Sequence, residues 1–180
     1  SGNDTGGVGV DHLECSLDAS SFTTCTSPVT PSSITDGAHT FRVSGQDNVG
    51  NINPSPALFN WTVDTVPPTT TINTATDGNE STISTGGNTS SNSAIFAFSA
   101  TDTGGNEDKG VGINQFECSI DNSNFTACTS PVKSNNLTDG NHTLKILSED
   151  KVGNKGLAPA SFSWIVDTES PSISIYSATD

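Results

Sequence analysis

This sequence predicts an all-β protein of small sandwich domains in series, and three observations carry the prediction. Residues 1–77 and 104–180 are one stretch written twice, at an offset of 103. Cys15, Cys25, His39, Trp61, Asp64 and Pro68 recur as Cys118, Cys128, His142, Trp164, Asp167 and Pro171. A repeat of about a hundred residues with its own cysteines and tryptophan is one domain. Apolar residues fall in short alternating runs of strand type, separated by Gly, Asn and Asp turn clusters. Nothing recurs at helical period, so no α-helix is expected.

Taken in order, the second copy supplies seven short strands. Thr70–Thr74 opens it. Ala94-Ile-Phe-Ala-Phe-Ser-Ala alternates into Asp102 and a Gly-rich acidic loop. Ile113 to Ile120 follows, and a turn at Asn122-Ser123-Asn124 leads to Phe125–Cys128. Val132 to Leu137 comes next, then the turn Thr138-Asp139-Gly140. The run from His142 to Ser148 alternates Leu144 and Ile146 against Thr143 and Lys145. The turn Asp150–Asn154 precedes the last strand, Phe162–Val166. Seven strands at such regular spacing are a sandwich pattern. Trp61 and Trp164 share parity with Phe59 and Val63, and with Phe162 and Val166, so both are expected to face a core. Domain boundaries follow: 1–66 for the first repeat, lacking its first two strands, 67–170 for the complete second, and 171–180 as the opening strand of a following repeat or a donor strand. The prolines after Val63-Asp64-Thr65 and Val166-Asp167-Thr168 stiffen the joints.

The cysteines come as two pairs, each ten residues apart, one pair per repeat. Zinc wants ligands two to four apart with a second pair nearby, which a repeat lacks. Disulfides Cys15–Cys25 and Cys118–Cys128 are the better reading. In an antiparallel hairpin paired residues have a constant index sum, which centres the turns on Ser20 and Ser123. The cysteines then face each other directly across the ladder. Disulfides place the chain outside a reducing cytosol. Seven Asn-X-Ser/Thr sequons, at Asn3, Asn60, Asn79, Asn88, Asn124, Asn136 and Asn141, point the same way as N-glycosylation candidates.

Six basic against twenty acidic residues give a net charge of −14. That surface repels phosphate backbones and anionic membranes, so nucleic acid is not an expected partner. No apolar run approaches the ~18 residues of a membrane span, so direct membrane insertion is not expected.

Phe116-Glu-Cys-Ser-Ile-Asp, Phe125-Thr-Ala-Cys-Thr-Ser-Pro-Val, Leu137-Thr-Asp-Gly-Asn-His-Thr-Leu, Asp150-Lys-Val-Gly-Asn and Trp164-Ile-Val-Asp-Thr form a specific series. The first copy carries it as Leu13-Glu-Cys-Ser, Asp36-Gly-Ala-His-Thr, Asp47-Asn-Val-Gly-Asn and Trp61-Thr-Val-Asp-Thr. Across nearly the whole chain this series resembles the bacterial and archaeal immunoglobulin-like repeats of large surface proteins. The resemblance implies tandem immunoglobulin-like β-sandwiches in a secreted or cell-surface protein, commonly an adhesin, biofilm or envelope protein. It brings no catalytic residues.

Enzymatic activity is not expected, since no Gly-X-Ser-X-Gly, His-Glu-X-X-His or phosphate loop is present. His39 and His142 follow an Asp-Gly turn and read as structural. His12 aligns with Gln115, so nothing common to both copies depends on it. No cofactor is required, but calcium is the one the sequence invites. On a sandwich, the loops carrying Asp102, Glu107, Asp108 and Asp150 lie at one pole, where the linker carboxylate Asp64 also arrives. Asp18 and Asp36 are candidates to join from the first copy. Oxygen ligands in such numbers suit calcium, while the plain alternative is that each Asp forms a turn.

The expected function is structural and adhesive, a stretch of extracellular stalk or filament whose partners are neighbouring repeats or subunits. Two alternatives are a module binding a glycan or surface protein, and an accessory segment of a secreted enzyme. Turn sequences are kept between the copies while strand faces vary, which favours the array. The counterpart of 78–103 would lie before Ser1. Either a longer array supplies those strands, or a terminal strand Ile173–Ala178 inserts into the next subunit by donor-strand complementation.

Overall fold

A computed structural model describes residue 4 and residues 7–104 and 110–176. Among these the chain is all-β, with twelve strands and no helix. It divides into two compact units: unit 1 is Ser1–Val66 with Thr103–Val111, and unit 2 is Pro67–Asp102 with Gly112–Asp180. Asn3, Glu107 and Asp108 lie outside the described residues.

Unit 1 is built on β1 (Val10–Leu17), β2 (Thr23–Cys25), β3 (Gly37–Asp47) and β4 (Ala57–Val63). They form one antiparallel sheet in the order β2-β1-β3-β4. His39 lies opposite Trp61, and Phe41 opposite Phe59.

Unit 2 comprises β5 (Thr69–Asp77), β6 (Asn88–Thr89), β7 (Ala94–Thr101), β8 (Ile113–Ile120), β9 (Thr126–Cys128), β10 (Val132–Ser134), β11 (Gly140–Asp150) and β12 (Ala160–Val166). Two sheets result, β10-β7-β5 and β6-β12-β11-β8-β9. The alternating side chains Phe96 and Phe98 of β7, Leu144 and Ile146 of β11, and Phe162, Trp164 and Val166 of β12 form a single core. Unit 2 is therefore a β-sandwich, in which period-two alternation sends one face of each strand inward. The Phe96 ring lies 5.4 Å from that of Phe162 and 4.9 Å from that of Trp164, centroid to centroid.

Four local expectations differ from what forms. Unit 2 has an eighth strand, β6, which pairs parallel to β12 through Asn88 and Thr89. Two residues within a Ser, Thr, Asn and Gly stretch carry no alternation by which a sequence could mark a strand. β10 stops at Ser134, because Asn136 takes a left-handed φ of 56° and Leu137 N–H donates to the carbonyl of Asn92. Residues 29–31, the counterpart of β10, form no strand. The reason is pairing: β10 hydrogen-bonds only to β7, and unit 1 has no such strand among the described residues. Residues 171–176 repeat the β5 sequence but are likewise not a strand, since β5 owes its ladder to β7.

Candidate functional site

The best-defined constellation occurs in both units, around the first hairpin. Asp18 and Ala19 have φ of 50° and 61°, and Asp121 and Asn122 have 49° and 60°. Two successive left-handed residues make a type I′ turn, whose twist suits a hairpin. Cys15 is bonded to Cys25 and Cys118 to Cys128, with Cα atoms 5.8 Å apart in each. The cysteines are not direct cross-strand partners: Cys15 lies opposite Thr23, and Leu13 opposite Cys25. The same holds for Cys118 with Thr126 and Phe116 with Cys128. The ladder centres one residue earlier than the index sum assumed, so each disulfide joins diagonal neighbours.

The hairpin turn then reaches a histidine twenty-one residues away. His39 Nδ1 is 2.7 Å from Asp18 Oδ2 and its Nε2 is 2.7 Å from the Thr35 carbonyl. His142 repeats this with Asp121 at 2.8 Å and the Thr138 carbonyl at 2.7 Å. The other oxygen of Asp18 accepts the Thr40 N–H, and that of Asp121 the Thr143 N–H. Each imidazole also lies against a tryptophan, with centroids 5.4 Å apart for His39 and Trp61 and 5.5 Å for His142 and Trp164.

Both ring nitrogens face acceptors, so the arrangement favours the doubly protonated ring. The hydrogen bond to Asp18, then that to Thr35, raises the His39 pKa above its ordinary value. Burial opposes charge on His142, but the Thr138 carbonyl and Asp121 outweigh it, and its pKa is raised too. The His39 hydrogen bond, helped by the Thr40 N–H, holds the Asp18 carboxyl below its usual range. With both nitrogens engaged as donors, the ring has no lone pair free to take a proton from a nucleophile. Its chemistry here is that of a clamp tying hairpin to strand.

Other carboxylates close turns in the same manner. Asp47 accepts from Val49 N, Asn51 N and Asn51 Nδ2, and Asp150 from Val152 N, Asn154 N and Asn154 Nδ2. Asn51 leads in lowering the Asp47 pKa. Burial would raise that of Asp150, yet the bonds from Asn154 and Val152 outweigh it and leave it lowered.

Of the calcium candidates, Asp102 and Asp150 come together within unit 2, each offering a carboxylate oxygen within 4.8 Å of the other's. Asp102 Oδ2 accepts the Gly112 N–H at 2.8 Å. Its Oδ1 is buried without a hydrogen-bond partner. Asp64 is buried in unit 1, where it accepts the N–H groups of Val66 and Val111. Asp18 and Asp36 are engaged locally within unit 1. Asp18 is engaged by its histidine, and Asp36 accepts from the backbone and hydroxyl of Thr65. The sequons at Asn60, Asn79, Asn88, Asn124, Asn136 and Asn141 are all exposed, as attachment of a glycan requires.

The units differ sharply on one face. Trp164 is 1% exposed and Phe162 8%, but Phe59, the counterpart of Phe162, is 66% exposed. Val29, Pro31, Ile34, Phe41, Phe59 and Trp61 line an open apolar groove of about 480 Å³ on unit 1. Trp61 therefore has the expected parity, but no core covers it among the described residues.

No family model matches the chain, and no curated protein matches it. Among solved structures, the fibronectin(III)-like modules of Clostridium thermocellum CbhA are similar with a TM-score of 0.40 and 15% identity. That match covers 93% of this chain and 84% of the other.

Proposed function

We propose that this chain is a stretch of an extracellular stalk, adhesin or filament assembled from tandem immunoglobulin-like domains, and that its partners are neighbouring repeats of the same kind. The observation that supports this most directly is what the two units have in common. Disulfide, type I′ turn, His–Asp clamp and Asp-X-Val-Gly-Asn turn recur at an offset of 103. All of these stiffen the module. A binding or catalytic protein instead diversifies its loops over a rigid frame.

Two disulfides favour an oxidising compartment, and a net charge of −14 favours mutual repulsion over collapse between extended neighbours. Antibodies raised against this chain test the reading on the producing cells by immunogold microscopy. The expected result is label on thin projections with a regular bead spacing. Label confined to the cytosol, or to a free secreted enzyme, would overturn it.

A further inference from the structure

We propose that Asp102 and Asp150 of unit 2 hold one hard divalent cation of calcium's size, where β7 and β11 end. Three segments of unit 2 meet there. Asp102 follows β7, Asp150 closes β11, and Gly112 stands just before β8. Gly112 has a φ of 86°, which a residue with a side chain rarely adopts. Its N–H donates to Asp102 Oδ2 at 2.8 Å, and its carbonyl accepts the Lys151 N–H at 3.0 Å. This backbone bridge sets the two acids together. Asp150 is fully buried, and the Asp102 carboxyl is buried beside it, with oxygens of the two within 4.8 Å of each other.

Two buried carboxylates this close repel each other and call for a counter-charge. Among the described residues no Lys, Arg or His forms an ion pair with either. Lys151, next in sequence to Asp150, folds its ammonium over Gly112 instead, 3.3 Å from where a Cβ would stand. Asp150 stays ionised, because the bonds from Asn154 and Val152 outweigh the opposing effect of burial. Asp102 is the partner with room. Its Oδ2 has one donor and its buried Oδ1 has none, whereas a carboxylate oxygen ordinarily accepts two. A buried acceptor left without a donor is costly, and a cation removes that cost together with the repulsion. Two oxygens touching one ion at the ~2.3–2.6 Å of a calcium bond lie at most about 5 Å apart, a bound this pair meets. Two carboxylates out of six to eight oxygen ligands put the affinity at the weak end, about 10⁻⁴–10⁻³ M.

The full chain, stripped with a chelator and held at constant ionic strength, is titrated with calcium chloride alone. Amide exchange is read on peptides from each unit. At ~10 mM calcium, about ten times the weak limit of that affinity, mass action gives about tenfold slower exchange across 94–102 and 144–154. Asp102→Asn keeps an acceptor for the Gly112 N–H but removes the charge, and it abolishes the response. Asp47 makes the same turn as Asp150 with the same donors but is only half-buried, so Asp47→Asn leaves the unit 2 response intact. The unaltered chain also tests the site without any variant: slowing spread evenly over both units is diffuse charge screening and overturns the proposal. No response at ~10 mM, the outcome if the pair shares a proton instead, overturns it too. A response that survives Asp102→Asn, or one that magnesium gives equally, has the same consequence.

Discussion

Phe59 and Phe162 are the same residue of the same strand in two settings, and truncating each to alanine measures what a second sheet contributes. Phe162 is 8% exposed and touches the rings of Phe96 and Trp164, while Phe59 is 66% exposed and meets only Trp61 among the aromatic rings described. A phenylalanine buries roughly 200 Å² when fully enclosed, so Phe162 hides about 120 Å² more than Phe59. At ~25 cal/mol per Å² that area is worth about 3 kcal/mol. A cavity left beside Phe96 adds to it, within the 3–5 kcal/mol typical of buried Phe→Ala. Phe162→Ala should therefore cost unit 2 about 3–5 kcal/mol, and Phe59→Ala should cost unit 1 under about 1 kcal/mol. Amide exchange read by mass spectrometry on peptides from each half keeps the two units separate. Equal losses in both halves, or a larger loss at Phe59, would refute the assignment of core and open face.

Two further outcomes follow from the hairpin. Replacing Cys118 and Cys128 together with serine releases a loop of ten residues and should lower the stability of unit 2 by roughly 2–3 kcal/mol on the chain-entropy view, read as an earlier denaturant midpoint. An unchanged midpoint would contradict a stapling role. The pH dependence has two limbs. His39 and His142 have raised pKa values, so their contribution is complete below the ordinary 6.5 and fades as pH rises through the folded values. Asp18, Asp47 and Asp150 are lowered, so theirs is complete above 3.8 and fades as pH falls through the folded values. Thermal melts should be highest between those limits, and His39→Gln with His142→Gln should flatten the alkaline limb and, by removing the bond that lowers Asp18, weaken its share of the acid limb, leaving the Asp47 and Asp150 share in place. An alkaline limb unchanged by both substitutions would rule out the charged clamp.

The sequence alone determined whatever depends on neighbours a few residues apart. Period-two alternation marked β7, β8, β11 and β12 and turned Trp164 inward, because pleating alone sends alternate side chains to opposite faces. The ten-residue spacing paired the cysteines, since a short hairpin brings its two arms within reach whatever its exact register. The all-β class followed from turn residues punctuating short apolar runs. Tertiary structure decided what depends on distant partners. It moved the ladder by one residue, so the disulfides run diagonally, and it drew Asp121 to His142 across a gap that no local pattern spans. It let β10 become a strand and left residues 29–31 without one, because a ladder needs a neighbour as well as a propensity. It also separated Phe162 from Phe59, two residues of equal parity and nearly equal context. Burial belongs to the second sheet that covers a strand, and the strand's own sequence carries only the face that waits for it.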